Sequence, residues 1–174
     1  MDPSRAAAAR LFERHHLAVY RYFLRMTGQR DLAQDLTQDL FVRVVRAIES
    51  YEESGRELAW LFRIARNLLR DRHRQASRRV VQVPLCAAAD VPAPESSGVA
   101  LEVDRAIAQL QDTDREVFLL LDTVGLSYEE IASVTGLTVS AVRSRLHRAR
   151  RALALALALV PARPHKVILR RIDP

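Results

Sequence analysis

Arginine, serine and histidine recur on one side of the segment that runs from Thr138 to about Leu159. At 100° per residue, the apolar side chains of this segment share the opposite direction, which predicts a helix with one buried side. These apolar residues are Val142, Leu146, Ala149 and Leu153. The polar side carries Ser140, Arg143, Ser144, His147, Arg148 and Arg151. An arginine guanidinium can donate two hydrogen bonds at once to guanine or to a phosphate, and a serine hydroxyl can hydrogen-bond to a base or to a phosphate. This side is therefore suited to the major groove of duplex DNA.

Short signals just before this segment place it in a helix-turn-helix. Ser127 is followed three residues later by Glu130, which predicts a capping box at the start of a short helix over 128–135. Gly136 permits the tight turn, and Thr138 caps the next helix, predicted over 139–159. An arginine-rich solvated face on an ordinary helical hairpin is the alternative. DNA binding by itself does not separate a repressor, a response-regulator output domain and a sigma factor.

A second basic stripe lies in the first half of the chain, on a helix predicted over 57–77. Its apolar side contains Leu61 and Leu68, and its other side carries Arg63, Arg66, Asn67, Arg70 and Arg74. Trp60 lies on the flank, where it either packs into the core or stacks on an unstacked base. The stripe predicts contact with a nucleic-acid backbone, and a solvated charged face is the alternative.

The preceding helix, predicted over 31–48, has a different character. Its apolar side contains Leu32, Leu36, Leu40 and Val44. The other side contains Gln34, Asp35, Gln38, Asp39 and Val42. An acidic, amide-rich surface repels DNA, so it indicates either a protein partner or a merely solvated face.

These segments require an all-helical chain. Few glycines and abundant Ala, Leu and Arg favour helices throughout. Further helices are predicted over 6–26, 100–110 and 113–124, and Gly28 and Gly55 mark two of the breaks. Residues 79–98 contain Pro84, Pro92 and Pro94 without an amphipathic period, which predicts a flexible linker. We therefore expect two small helical domains, over 1–78 and 99–160, with a basic tail over 161–174.

The charges are distributed in blocks. Residues 1–78 carry 15 basic and 10 acidic groups, residues 101–138 carry 2 and 8, and residues 139–174 carry 9 and 1. Two basic blocks flanking an acidic one indicate two separate polyanion-binding surfaces. Arginine-rich coding bias is the alternative that charge alone leaves open.

Several classes of function are disfavoured. The single Cys86 excludes a disulfide framework and a multi-cysteine zinc site, and no other metal site, catalytic group or cofactor motif is expected. His15 and His16 are adjacent and point to different sides of a helix, without carboxylates at catalytic spacing. The longest apolar run, Ala152 to Val160, is too short to cross a bilayer, and a reducing cytoplasm fits the composition. We expect neither an enzyme nor a small-molecule substrate.

Three motifs together resemble the extracytoplasmic-function (ECF) bacterial sigma factors. DLAQDLTQDLFVRVVRA resembles the polymerase-binding helix of their region 2, AWLFRIARNLLRDRHR the following promoter-melting helix, and SYEEIASVTGLTVSAVRSRLHRARRAL their region 4. The motifs lie in family order over roughly residues 8–157. The resemblance implies a non-enzymatic subunit that binds core RNA polymerase and directs initiation at promoter DNA. A stand-alone helix-turn-helix regulator is the second interpretation.

The resemblance also implies roles for individual residues. Asp35, Gln38, Asp39 and Phe41 would dock on core polymerase. The loop from Ser50 to Arg56, with Tyr51 and Glu52, would capture a flipped base of the −10 element, beside the stripe of Trp60, Arg63, Arg66, Asn67, Arg70 and Arg74. The polar side that begins at Ser140 would read the −35 element. The resemblance further implies an anti-sigma partner, often membrane-bound in this family, that would hold the factor at the inner face of the bacterial membrane.

Overall fold

The structure, a computed structural model, describes residues 3–51, 55–79 and 98–158. Seven α-helices account for most of them: α1 (Pro3–Thr27), α2 (Arg30–Ala47), α3 (Glu57–Arg79), α4 (Gly98–Ala108), α5 (Asp112–Asp122), α6 (Tyr128–Thr135) and α7 (Val139–Ala158). The described ranges contain no β-strand. The predicted all-helical class is therefore confirmed.

Helix ends follow local signals with small shifts. Gly28 ends α1 with a φ of +69°, and its amide donates to the carbonyl of Leu24 at 2.8 Å. A 3-10 turn over Ile48–Ser50, absent from the prediction, follows α2. Helices α4 and α5 begin and end one or two residues earlier than predicted, whereas α6 has the predicted bounds.

The N-terminal domain, α1–α3, is built around aromatic side chains. Tyr22, Phe23 and Phe62 are fully buried, and the rings of Tyr22 and Phe62 meet edge to face with centroids 5.2 Å apart. From α2, Leu36, Leu40 and Val44 enter this core as predicted, and Phe41 and Ala33 join them.

The C-terminal domain, α4–α7, packs α7 against α4, α5 and α6. The predicted apolar side of α7 is buried at all four positions, Val142, Leu146, Ala149 and Leu153. Arg115, at the start of α5, donates to the carbonyls of Ile107, Ala108 and Leu110 at 2.6–3.1 Å. A cation that satisfies carbonyls at the end of α4 also complements the negative end of that helix.

The two domains contact each other where α3 packs on α6 and α1 packs on α4 and α5, and polar side chains cross this boundary, which we call the domain interface. Arg25 of α1 donates to Asp104 and to Thr123, both at 3.0 Å. Arg66 of α3 donates to Glu116 of α5 at 2.9 Å. The acidic block noted in the sequence thus lies against the basic N-terminal domain.

Three predictions fall on residues outside the described ranges. These are the role of Glu52, residues 80–97 of the linker predicted over 79–98, and the basic tail over 161–174. The two end residues of the predicted linker are helical instead, because α3 continues to Arg79 and α4 begins at Gly98.

Candidate nucleic-acid interface

The turn between α6 and α7 has the predicted construction. The amide of Glu130 donates to Ser127 Oγ at 3.2 Å, and the amide of Ser127 donates to Glu130 Oε2 at 2.8 Å, completing the capping box. Gly136 follows α6 with a φ of +71°, a conformation that other residues adopt only with strain. Thr138 Oγ1 accepts from the amide of Ala141 at 3.2 Å and caps α7. Local chemistry therefore fixes how α7 projects from the domain.

The side of α7 that points away from the core is exposed along three turns. We call it the reading face; its members are Ser140, Arg143, Ser144, His147, Arg148 and Arg151, and all six are exposed. The small Ser140 and Ser144 lie near the start of the helix, where a groove-bound helix approaches the bases most closely. The face is cationic at both edges and lacks an acidic residue of its own.

An arginine on each edge of the reading face is held by a side chain from another helix. Arg143 lies over the ring of Tyr128, with Cζ 5.9 Å from the ring centroid. Arg148 donates through Nε and Nη2 to the two carboxylate oxygens of Asp114, at 3.0 and 3.2 Å. Arg145 adds a third donor to the same carboxylate at 3.0 Å.

Asp114 is buried, and its ionisation depends on these arginines. Burial acts to raise the pKa of the Asp114 carboxyl, but the hydrogen bonds from Arg148 and Arg145 outweigh burial and hold this pKa below its ordinary value. The same hydrogen bond raises the pKa of the Arg148 guanidinium. Asp114 is therefore a carboxylate at any pH near neutral.

The basic stripe on α3 is only partly accessible in this structure. Arg63, Asn67, Arg70 and Arg74 are exposed. Arg66 is not: its side chain is 19% exposed and is paired with Glu116, which also accepts from the hydroxyl of Tyr22 at 3.4 Å. Arg63 reaches across as well and donates to Ser133 of α6 at 2.9 Å. Two of the predicted strand-binding residues thus lie in the domain interface.

The sequence leaves two roles open for Trp60, packing in the core and stacking on an unstacked base, and its surroundings fit both. It is half-buried against the N-terminal core, and its ring lies 4.7 Å from that of Tyr51 at an angle of 40°. Tyr51 belongs to the loop that the resemblance assigns to base capture. The two aromatic rings are therefore already adjacent at one end of the α3 stripe. Ser50 lies next to them in the chain, at the end of the 3-10 turn.

The acidic side of α2 borders an apolar groove. Asp35, Gln38 and Asp39 are exposed. Phe41, in contrast, is only 8% exposed and packs edge to face against Phe12 of α1, with centroids 4.9 Å apart. It forms the floor of a groove of about 580 Å³ between α1 and α2.

Sequence reasoning placed Val42 on the acidic side of α2 and assigned Phe41 to docking, but it did not predict the apolar groove between α1 and α2. Phe12, Val42 and Val45 line the groove and are 46%, 50% and 44% exposed. The signal that could have revealed them is an apolar residue on the polar side of each helix. Such a patch on a small domain marks an interaction site.

No group of histidine, cysteine, aspartate and glutamate within the described ranges could hold a metal ion. None of the described helices is long and apolar enough to span a membrane.

Two family models match the chain. The model of sigma-70 region 2 matches residues 11–79, and the model of sigma-70 region 4 matches residues 100–153. The first covers α3 and α2 with most of α1, and the second covers the helix-turn-helix.

Curated relatives agree with these matches. The chain is 36% identical over 151 residues to the ECF RNA polymerase sigma factor SigE of Mycolicibacterium smegmatis, covering 82% of this chain and 58% of that protein's length. It is 36% identical over 154 residues to the RNA polymerase sigma factor CarQ of Myxococcus xanthus, covering 84% of this chain and 87% of that protein.

Two solved structures extend the similarity to three dimensions. The sigma factor RpoE of Bartonella quintana, solved with the anti-sigma factor NepR, matches with a TM-score of 0.77 at 27% identity, over 87% of this chain and 96% of that one. CnrH, solved with the cytosolic domain of CnrY, matches with a TM-score of 0.65 at 30% identity, over 88% of this chain and 89% of that one.

Proposed function

The chain belongs to the ECF sigma factors, and on that premise we propose which of its surfaces bind polymerase, the opened promoter strand and the promoter duplex. As a sigma factor it directs promoter-specific transcription. The alternative of a stand-alone helix-turn-helix regulator is not favoured, because region 2 accounts for the N-terminal helices. For the division of the chain we propose a first domain that ends with α3 at Arg79, a linker over 80–97 and a second domain that begins with α4 at Gly98.

The reading face of α7 is proposed to recognise the −35 element as duplex. The observation that supports this role is the geometry of α6 and α7: a capped turn sets the angle of a helix whose apolar side is buried and whose six polar residues are exposed. Ser140 and Ser144 approach the bases, whereas the edge arginines contact phosphate or guanine. A reading face that is cationic at both edges and carries no acidic residue matches the polyanionic duplex.

The basic stripe of α3 is proposed to bind the opened −10 strand. Arg63, Arg66, Asn67, Arg70 and Arg74 provide donors along the backbone of the strand. Trp60 and Tyr51 provide aromatic surfaces against which an extruded base stacks, with Ser50 and Glu52 in the same loop. Extruding a base costs roughly a few kcal/mol, which stacking and phosphate contacts offset.

Core polymerase is proposed to dock on α2 and the neighbouring groove. Asp35, Gln38 and Asp39 supply the polar rim, and Phe41 with Phe12 supplies the apolar floor. An apolar centre surrounded by polar groups is the usual composition of a protein interface. Catalysis then belongs to the polymerase, and we propose no catalytic residue, cofactor or small-molecule substrate for this chain.

An anti-sigma factor is the proposed regulatory partner. RpoE of Bartonella quintana, a sigma factor of similar structure, was solved in complex with the anti-sigma factor NepR. CnrH, which is also similar in structure, was solved with the cytosolic domain of CnrY. We place the chain in the bacterial cytoplasm, where polymerase and promoter DNA are found, with an anti-sigma factor able to hold it at the membrane.

Run-off transcription with core polymerase on a promoter library tests the central proposal. Core polymerase with this chain should initiate at promoters that share two spaced elements, whereas core alone should not. A chain that binds promoter DNA specifically on its own, and that adds no specific initiation to core, would be a regulator and would overturn the proposal.

A further inference from the structure

The arginine–carboxylate contact between α7 and α5 lies where the reading face meets the rest of its domain. The side chain of Asp114 is 7% exposed, whereas that of Arg148 is 55% exposed. The carboxylate is therefore enclosed by protein, while the guanidinium that it binds extends to the surface. This asymmetry suggests that the contact acts on Arg148 and not only on the packing of the helices.

The atoms used in the contact determine which part of Arg148 stays available. A guanidinium has five N–H donors, arranged as a side edge, formed by Nε and one terminal nitrogen, and an end, formed by the two terminal nitrogens. Asp114 accepts from Nε and Nη2, which is the side edge. Three donors remain, two on Nη1 and one on Nη2, and one donor from each of these nitrogens forms the end fork. The end fork is the part that donates in pairs to phosphate or to guanine.

Arg145 completes the arrangement. Its Nη1 donates to Asp114 Oδ1 from a side chain that is 27% exposed. One buried carboxylate is thus held by two guanidiniums: Oδ1 accepts from both arginines, and Oδ2 accepts from Arg148 alone. Because a free arginine side chain samples many rotamers, a contact that fixes it before DNA arrives removes part of the entropic cost of binding.

We infer that Asp114 is a positioning residue for −35 recognition: it holds Arg148 by the side edge and presents the end fork to the duplex. This inference rests on the proposed reading role of α7. It assigns a function in DNA recognition to a residue of α5, a helix that contributes none of the six residues of the reading face. Arg148 then contributes to −35 recognition both through its positive charge and through the fixed direction in which its guanidinium points.

Initiation by the holoenzyme at a −35-dependent promoter provides the test. Asp114→Asn keeps the size of the side chain but removes its charge, and we expect the ratio of initiation on the cognate promoter to that on a promoter with a scrambled −35 element to fall about tenfold. Asp112→Asn is the matched control. It removes the same charge from the first turn of the same helix, where the side chain is 81% exposed and pairs only with Arg115 among the described ion pairs. The control should leave the ratio unchanged.

A double-mutant cycle with Arg148→Ala separates positioning from folding. If Asp114 acts through Arg148, the effect of Asp114→Asn on the ratio disappears in the Arg148→Ala background. Additive effects of the two substitutions would overturn the inference. A rise in binding to cognate and scrambled duplex alike would also overturn it, because it would mean that Asp114 only neutralises charge.

Arg148→Lys tests the same inference without touching α5. Lysine keeps the charge but has no fork. The ratio of initiation on the cognate promoter to that on the scrambled promoter should therefore fall as far in Arg148→Lys as in Arg148→Ala. Full retention by lysine would refute the role of the end fork. If Asp114→Asn fails to fold, Arg148→Lys still tests the inference, because retention of the full ratio by this variant refutes it. Failure of the wild-type holoenzyme to initiate at all would instead refute the proposed sigma function.

Discussion

Glu116 is expected to restrain the chain in a form that cannot bind the −10 strand through Arg66. The two side chains meet at 2.9 Å and are 11% and 19% exposed, so little water competes for the contact. Unlike Arg148, whose side chain is 55% exposed beside its carboxylate, Arg66 is largely covered by the second domain, so a strand phosphate cannot reach its remaining donors while the contact is intact. Strand binding through this residue therefore requires the domain interface to open.

The magnitude follows from the chemistry of the contact. A hydrogen bond to a charged group contributes about 1.5–3 kcal/mol and a neutral one about half of that. Glu116→Gln keeps an acceptor of the same shape, so it should weaken the interface by about 1 kcal/mol. If the open form is the minor one, its population rises about fivefold. The apparent Kd of the chain alone for a single-stranded −10 oligonucleotide should then fall about fivefold.

Fluorescence anisotropy with a labelled oligonucleotide measures this change. Glu129→Gln is the charge-matched control, because Glu129 is exposed on α6 and absent from the described contacts between the domains. A fluorescence energy-transfer pair with one dye on α2 and one on α6 reports the distance between the domains, once Cys86 has been replaced by serine. The reasoning is refuted if the Glu116→Gln and Glu129→Gln variants bind the strand equally well and show the same distance as the wild type.

Three further perturbations have defined outcomes. Ser127→Ala removes the cap of α6 and should lower the free energy of unfolding by about 1 kcal/mol in urea titrations, whereas Ser140→Ala, on the exposed side of α7, should change it little; equal losses would contradict the capping role. Because the pKa of Asp114 is lowered in the folded chain, its stabilising contribution should be fully present above about pH 5 and decline below about pH 4 as the carboxyl takes up its proton. Urea titrations of wild type and Asp114→Asn across this range should therefore converge at low pH, and a constant difference would refute the assignment. Val42→Asp puts a charge at the groove, where Val42 is 50% exposed, and should weaken binding to core polymerase about tenfold or more without lowering the Tm; tight binding by this variant would exclude the groove from the interface.

The sequence predicts those parts of the fold that local chemistry determines. Ser127, Glu130, Gly136 and Thr138 act within a few residues of themselves, so the bounds of α6 and the start of α7 could be predicted to the residue. The buried side of α7 was equally predictable, because one period describes a helix that packs on one side only. The 3-10 turn after α2 has no comparable signal, and it was not predicted.

The partners of the candidate site residues could not be predicted in this way. Arg66 and Glu116 are 50 residues apart, and Arg148 and Asp114 are 34 apart. The spacing of apolar and basic residues along α3 or α7 does not indicate which arginine pairs with a carboxylate from another helix. The sequence showed that residues 101–138 are acidic but not that Asp114 and Glu116 would be buried. Such contacts depend on how whole helices pack, which a pattern along one helix does not contain.

Helix α5 limits how freely the two halves of this chain can be exchanged with those of relatives. Asp114 and Glu116 are two residues apart, which places them about 200° apart around the helix, so one faces α7 and the other faces α3. A chimera that receives residues 98–158 of this chain keeps the first contact intact, because both partners travel together. The second contact depends on what the host carries in place of Arg66. Chimeras that carry residues 98–158 of this chain should therefore keep its −35 preference. Their affinity for the −10 strand should instead change with the relative that supplies the N-terminal domain.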